Sequence, residues 1–190
     1  MATFTESDLR YLAAEYRTLD QLCAGRAQTA TQVSALIREG RLPAPTYVPP
    51  DGVPRFPPDY FALVDDAGSV DALPGRFRAR HLAVSGSAAE ADEDWSGYLS
   101  GEYGICLWEV TPEAMVRKSR LIARIEELTG RPAPDDQGWQ ADLRAAVTAL
   151  DALERPFTDF DRERWGDTSR ERHITRVMAQ FPTVFALSEA

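Results

Sequence analysis

The chain has 190 residues, a formal net charge of −9, 44% hydrophobic and 27% charged residues. This is enough to bury a sizeable core, in one domain or two small ones. No apolar run approaches the roughly 20 residues needed to span a bilayer, two cysteines are too few for a disulfide framework, and two histidines scattered along the chain form no zinc pattern. There is no glycine-rich phosphate loop and no G-x-S-x-G elbow, so no cofactor is expected. An acidic start without an apolar leader, together with reduced cysteines, leads us to expect a cytoplasmic protein that does not contact a membrane.

Taken in order, residues 5–16 predict a first helix, capped by Thr5 or Ser7, with Leu9, Leu12, Ala13 and Tyr16 on one face. Residues 18–43 predict two short helices joined by a tight turn. Thr18 with Gln21, and Thr29 with Gln32, have the spacing of capping boxes, and Gly25 lies between the helices. The first helix is expected to pack across this pair. Residues 43–58 hold seven prolines and read as a stiff connection. A short helix is expected over 59–64. Residues 65–92 are punctuated by Asp65, Asp66, Gly68, Pro74 and Gly75 and show no clear period.

Within that stretch, Arg76, Arg78, Arg80 and His81 form the densest basic run of an acidic chain. Two readings stand: a solvated face paired with acidic neighbours, or an anion clamp, because guanidinium groups bind oxyanions in a bidentate fork. The segment 95–108 mixes three glycines with Trp95, Tyr98, Tyr103 and Trp108, and places Cys106 among apolar residues. It reads as core packing or as a pocket wall formed by Trp95, Tyr98, Tyr103 and Cys106. A nucleophilic Cys106 would need a base beside it, and the sequence places neither His81 nor His173 there. Catalytic residues therefore stay unassigned.

Thr111-Pro112-Glu113 starts a helix running to about residue 129. Its buried stripe is Met115, Leu121, Ile122, Ile125 and Leu128, and Arg117, Lys118, Arg120 and Arg124 are expected on the opposite face. A second long helix over 136–154 should fold back on it as a hairpin. Asp159 to Arg164 alternates in sign as a surface ion-pair network, and a last helix is expected from Ser169 to about Phe181.

The stretch 18–43, with Thr46-Tyr47-Val48, a turn at Asp51-Gly52 and Val53 to Phe56, resembles the excisionase and MerR-type winged helix-turn-helix family. The resemblance, which covers roughly the first third of the chain, implies a winged helix-turn-helix-like module with a small β wing over 1–58; with the long helices that follow, the chain reads as mainly α, with a helical domain over 59–190. DNA-binding members carry Arg, Lys or Tyr on the recognition helix, where this chain has Ala30, Ser34 and Ala35. The basic residues of the first sixty positions are matched by acidic ones, so DNA binding is disfavoured. Thr29, Thr31, Gln32, Ser34 and Arg38 become candidates for docking a protein instead.

Trp95 to Leu107, Thr111-Pro112-Glu113, Phe160-Asp161-Arg162 and Ser169-Arg170-Glu171-Arg172 are similar to small actinobacterial proteins of natural-product biosynthesis, and most of all to small subunits of two-protein, cofactor-free aziridine-forming enzymes of azinomycin-type pathways. That resemblance implies an accessory or obligate subunit, a larger partner supplying most of the site, and ring closure by an amine displacing sulfate; on the chemistry of guanidinium groups, Arg76, Arg78 and Arg80 are candidates to receive the leaving sulfate. A DNA-binding regulator and a stand-alone small enzyme are the other two expectations.

Overall fold

The computed structural model describes residues 2–186, and they are mainly helical. The elements are α1 (Glu6–Glu15), α2 (Leu19–Cys23), α3 (Ala30–Arg38), α4 (Ala62–Ala67), α5 (Leu73–Ser85), α6 (Ala88–Ser100), α7 (Tyr103–Cys106), α8 (Pro112–Gly130), α9 (Gln137–Leu153), α10 (Asp159–Trp165), a π-helical turn (Glu171–Thr175), α11 (Arg176–Gln180) and α12 (Pro182–Phe185). Side-chain caps set most of the starts. Thr5, Thr18, Thr29 and Thr158 each close a capping box, and Ser87, Thr111 and Asp136 cap α6, α8 and α9. No helix among the described residues is long and apolar enough to cross a membrane.

Four expectations are corrected. The β wing is reduced to isolated bridges, Tyr47 with Arg55 and Arg17 with Phe56. Pro49, Pro50 and Pro54 lack the N–H groups a longer ladder would require. The stretch that showed no period contains α5: its buried residues Leu73, Phe77 and His81 recur every four positions, and a histidine in that stripe hides it from a hydropathy reading. The expected last helix is a π-helical turn followed by α11. Finally, α1 does not pack across α2 and α3. Leu12 and Tyr16 instead join Tyr47, Ile105, Phe157 and Phe160, and the Tyr16 hydroxyl donates to Gly104 O at 2.8 Å.

The largest apolar cluster draws Val33, Leu42 and Phe56 together with Tyr60, Leu73, Phe77, Tyr98, Leu107 and Met115. It therefore takes residues from both sides of position 58. A second cluster fills the space between α8, α9 and the C-terminal helices, through Ile125, Leu143, Leu150, Ile174 and Val184. Each fully buried side chain of this size contributes about 1.5–3 kcal/mol by leaving water.

Between these clusters lies Arg155, with only 2% of its surface exposed. Its Nε donates to Leu107 O at 2.9 Å, and its guanidinium stacks on Trp108 at 4.5 Å and Tyr16 at 5.1 Å. It ties the end of α9 to α7 and to the end of α1.

The segment after α3 lies directly on the α6–α7 junction. Ala44 N donates to Leu99 O at 2.9 Å and Thr46 Oγ1 to Gly101 O at 3.2 Å. The approach requires two glycines. A Cβ on Gly101, where φ is +80°, would stand 2.3 Å from Ala44 O, and one on Gly104 would stand 2.3 Å from Thr46 Oγ1. Gly101→Ala and Gly104→Ala are each expected to cost about 2 kcal/mol or more in urea unfolding. Gly75→Ala in α5, with nothing within 4 Å of the new Cβ, should leave stability unchanged or raise it by up to about 1 kcal/mol. Equal losses at all three positions would contradict this packing.

Candidate functional site

Four residues, Tyr103 to Cys106, make the short helix α7 between α6 and α8, and two clefts meet there. The first, of about 660 Å³, is lined by Glu93, Ser96, Gly97, Ser100 and Tyr103. The second, of about 430 Å³, is lined by Ile105, Lys118, Phe157, Trp165, Thr168, Ser169 and Arg172. Glu102 and Cys106 belong to both. Both volumes fall in the range of small-molecule sites.

At the base of the second cleft sits a buried ion pair. Lys118 Nζ lies 2.9 Å from Glu154 Oε1, and the Ser169 hydroxyl donates to the same oxygen at 2.6 Å. Lys118 is spaced three, four and seven residues from Met115, Ile122 and Ile125, so it shares their inward face, not the outer face on which the sequence reading placed it. Glu154 ends α9, and its other oxygen, Oε2, is buried with no partner among the described residues. Burial pulls the Lys118 ammonium towards neutrality, but the Glu154 carboxylate, through its charge and hydrogen bond, outweighs it and holds it above the ordinary lysine range. The Cys106 thiol is pushed up, first by its burial, and the nearby Lys118 offsets only part of that. It donates weakly to Tyr103 O at 3.7 Å. A thiol held in its neutral form is a poor nucleophile, so the geometry favours binding by a fixed cation over thiol chemistry.

A polar chain supports the wall of the first cleft. His81, fully buried, places Nε2 2.7 Å from Asp94 Oδ2 and Nδ1 2.9 Å from Ser85 Oγ, and the Tyr103 hydroxyl donates to the other Asp94 oxygen. The residue types match a Ser-His-Asp triad, but the arrangement does not work as one. Ser85 Oγ is already bonded to Ser87 N at 3.0 Å, and Ser85 lines neither cleft. The chain holds the Tyr103 ring against Gly97, where a Cβ would come within 2.8 Å of it. Burial, then the Asp94 hydrogen bond, push the Tyr103 hydroxyl far up, so it stays a donor.

The sequence-predicted residues separate. Arg76, Arg78, Arg80 and His81 do not converge on one anion site. Arg76 and Arg80 share Asp66, Arg80 also takes Glu113, Arg78 reaches Asp92, and His81 turns inward. The Arg76 hydrogen bonds hold the Asp66 carboxyl at about 2. Of the four pocket candidates, Trp95 and Tyr98 pack on Phe77 at 5.1 and 5.5 Å in the core, while Tyr103 and Cys106 line the clefts. The buried Tyr98 hydroxyl and Asp59 Oδ1, both without a partner among the described residues, border a separate cavity of about 20 Å³, the size of one water. Thr29 and Gln32 are occupied in the α3 capping box, Thr31 and Arg38 are exposed, and Ser34 is half-buried. His173 is buried, 2.9 Å from Glu126 Oε1.

Sequence reasoning missed Lys118, Glu154, Ser169 and Arg172. Only Lys118 left a signal, its spacing on the apolar stripe. The other three converge through the tertiary fold.

The chain belongs to a family of unknown function, DUF6058, whose match covers residues 71–182. Every residue lining either cleft falls inside that span. No curated protein and no solved structure matches the chain.

Lys118→Met leaves a buried carboxylate unpaired and is expected to cost about 3 kcal/mol in denaturant unfolding. Glu154→Gln strands the ammonium at similar cost. The double variant Lys118→Met/Glu154→Gln should recover more than half of the summed loss. Strict additivity of the two losses would show that the pair is not formed.

Proposed function

We propose that this chain is a cytoplasmic subunit of a two-protein biosynthetic enzyme, and that its N-terminal helices α2 and α3 dock the larger protein and not DNA. The observation that carries this reading is the state of the arginines around α2 and α3. Arg26 pairs with Asp65 and lies over Phe61 at 4.2 Å, Arg41 pairs with Asp71, and Arg55 pairs with Asp51 at 2.7 Å. A DNA-reading module keeps such groups free for phosphates, because phosphate neutralisation supplies most non-specific affinity. Here they are engaged within the chain, and the exposed positions Thr31 and Arg38 offer one cation between them.

The reaction expected from the resemblance, an amine displacing sulfate to close an aziridine, forms a C–N bond, breaks a C–O bond and releases a proton from nitrogen. It needs positioning and leaving-group stabilisation more than a nucleophilic side chain. With Arg76, Arg78 and Arg80 already paired with carboxylates, the larger partner is assigned the groups that receive the sulfate.

The tagged chain, purified from its native host, should carry one protein in stoichiometric amount and no nucleic acid. The surface variant Thr31→Arg/Arg38→Glu should weaken that association at least about tenfold, a loss of about 1.4 kcal/mol, while the melting temperature stays unchanged. Salt-dependent retention of DNA without a protein partner would overturn the reading, as would full retention of the partner by the variant.

A further inference from the structure

The second cleft carries a charge arrangement that the docking role does not use. Five arginines lie between residues 162 and 176. Arg162 pairs with Glu171 and Asp159, Arg170 with Asp151, and Arg176 with Asp167, while Arg164 stacks on Trp165 at 4.7 Å. Arg172 alone of the five has neither an acidic side-chain partner nor an aromatic one among the described residues, and it lines the cleft. It sits in the π-helical turn Glu171–Thr175, a widened turn of a kind that recurs at functional sites.

At the base, Lys118 keeps 14% of its side chain exposed. It has three donors, and Glu154 Oε1 takes one. The Lys118 charge is met by Glu154, and that of Asp167 by Arg176, so the C-terminal end of the cleft is left with the unopposed guanidinium of Arg172. Glu102 lies at the other end, on the ridge between the two clefts. Phe157 and the half-exposed Trp165 supply apolar wall. A cleft of about 430 Å³ with two cationic side chains on its lining and an aromatic side fits a small molecule with one anionic end.

We infer that this cleft binds a small organic oxyanion, a carboxylate or a phosphate ester, with the anionic group between Arg172 and Lys118 and an apolar or aromatic body against Phe157 and Trp165. This site is independent of the partner-docking role and stands or falls without it.

The full-length chain is titrated with benzoate, phenyl phosphate, benzyl alcohol and benzylammonium, each up to about 10 mM, the weak end for ligands of this size. Binding is followed by backbone amide shifts. Saturable shifts confined to α7, the Lys118 turn of α8 and residues 167–172 are expected with at least one of the two oxyanions, and which of them binds identifies the chemistry. Neither benzyl alcohol nor benzylammonium should bind. Arg172→Gln, a surface change that leaves the Lys118–Glu154 pair intact, should weaken binding about tenfold or more at an unchanged melting temperature. The inference is overturned if neither oxyanion binds, if the shifts lie elsewhere, if the neutral or cationic probe binds equally well, or if Arg172→Gln binds as the parent does.

Discussion

A single guanidinium, that of Arg155, holds the structure together. Burying such a group costs several kcal/mol unless its donors are met and its faces covered. Here the Leu107 carbonyl takes Nε, and the rings of Trp108 and Tyr16 cover the cation, while Nη1 has no hydrogen-bond partner among the described residues and lies 3.9 Å from Glu15 Oε2. Leu107 and Trp108 directly follow α7, and Tyr16 ends α1. The backbone beside it adds to the junction: Arg155 N donates to Cys106 O at 3.0 Å, and Trp108 N to Leu153 O at 3.3 Å. Once these bonds form, α7 is fixed against the end of α9, and the α1 terminus is fixed against both.

The clefts follow from that constraint. Cys106 and Glu102 separate them because α7 is only four residues long and is pinned at its C-terminal end. Glu154, next to Arg155, is carried inward with it and meets Lys118. The tight contact between Gly101, Gly104 and the segment Ala44–Thr46 then places the N-terminal helices on the same core. The family match begins at residue 71, yet its core is completed by Val33, Leu42, Phe56 and Tyr60 from earlier in the chain.

What could be read from the sequence was local chemistry. The capping boxes at Thr18 and Thr29, the Thr111-Pro112 start and the stripe of α8 are carried by residues close in sequence, and they appear where expected, as does the packing of α9 back on α8. The α5 stripe was hidden because its third member, His81, is polar and is satisfied only by Asp94 and Ser85. The strands of the wing failed because prolines interrupt the donors. Of the site, Tyr103 and Cys106 were legible as an unusual glycine-aromatic segment. The arginines from Arg76 to Arg80 drew attention by density alone, whereas their charge is cancelled by Asp66, Asp92 and Glu113, which lie 10, 14 and 33 residues from Arg76, Arg78 and Arg80. Glu154, Ser169 and Arg172 are distant in sequence from Lys118, and no periodicity reports such convergence.

The central claim is that the N-terminal helices and the family region form one cooperative body locked at Arg155. Native-state hydrogen exchange on the intact chain tests it most directly. The slowest amides of α3, around Val33, and those of α8 and α9 should open with free energies within about 1 kcal/mol of each other, as parts of a single unfolding unit do. Full protection of α8 and α9 while every amide of α1 to α3 exchanges through a much cheaper opening would contradict the account.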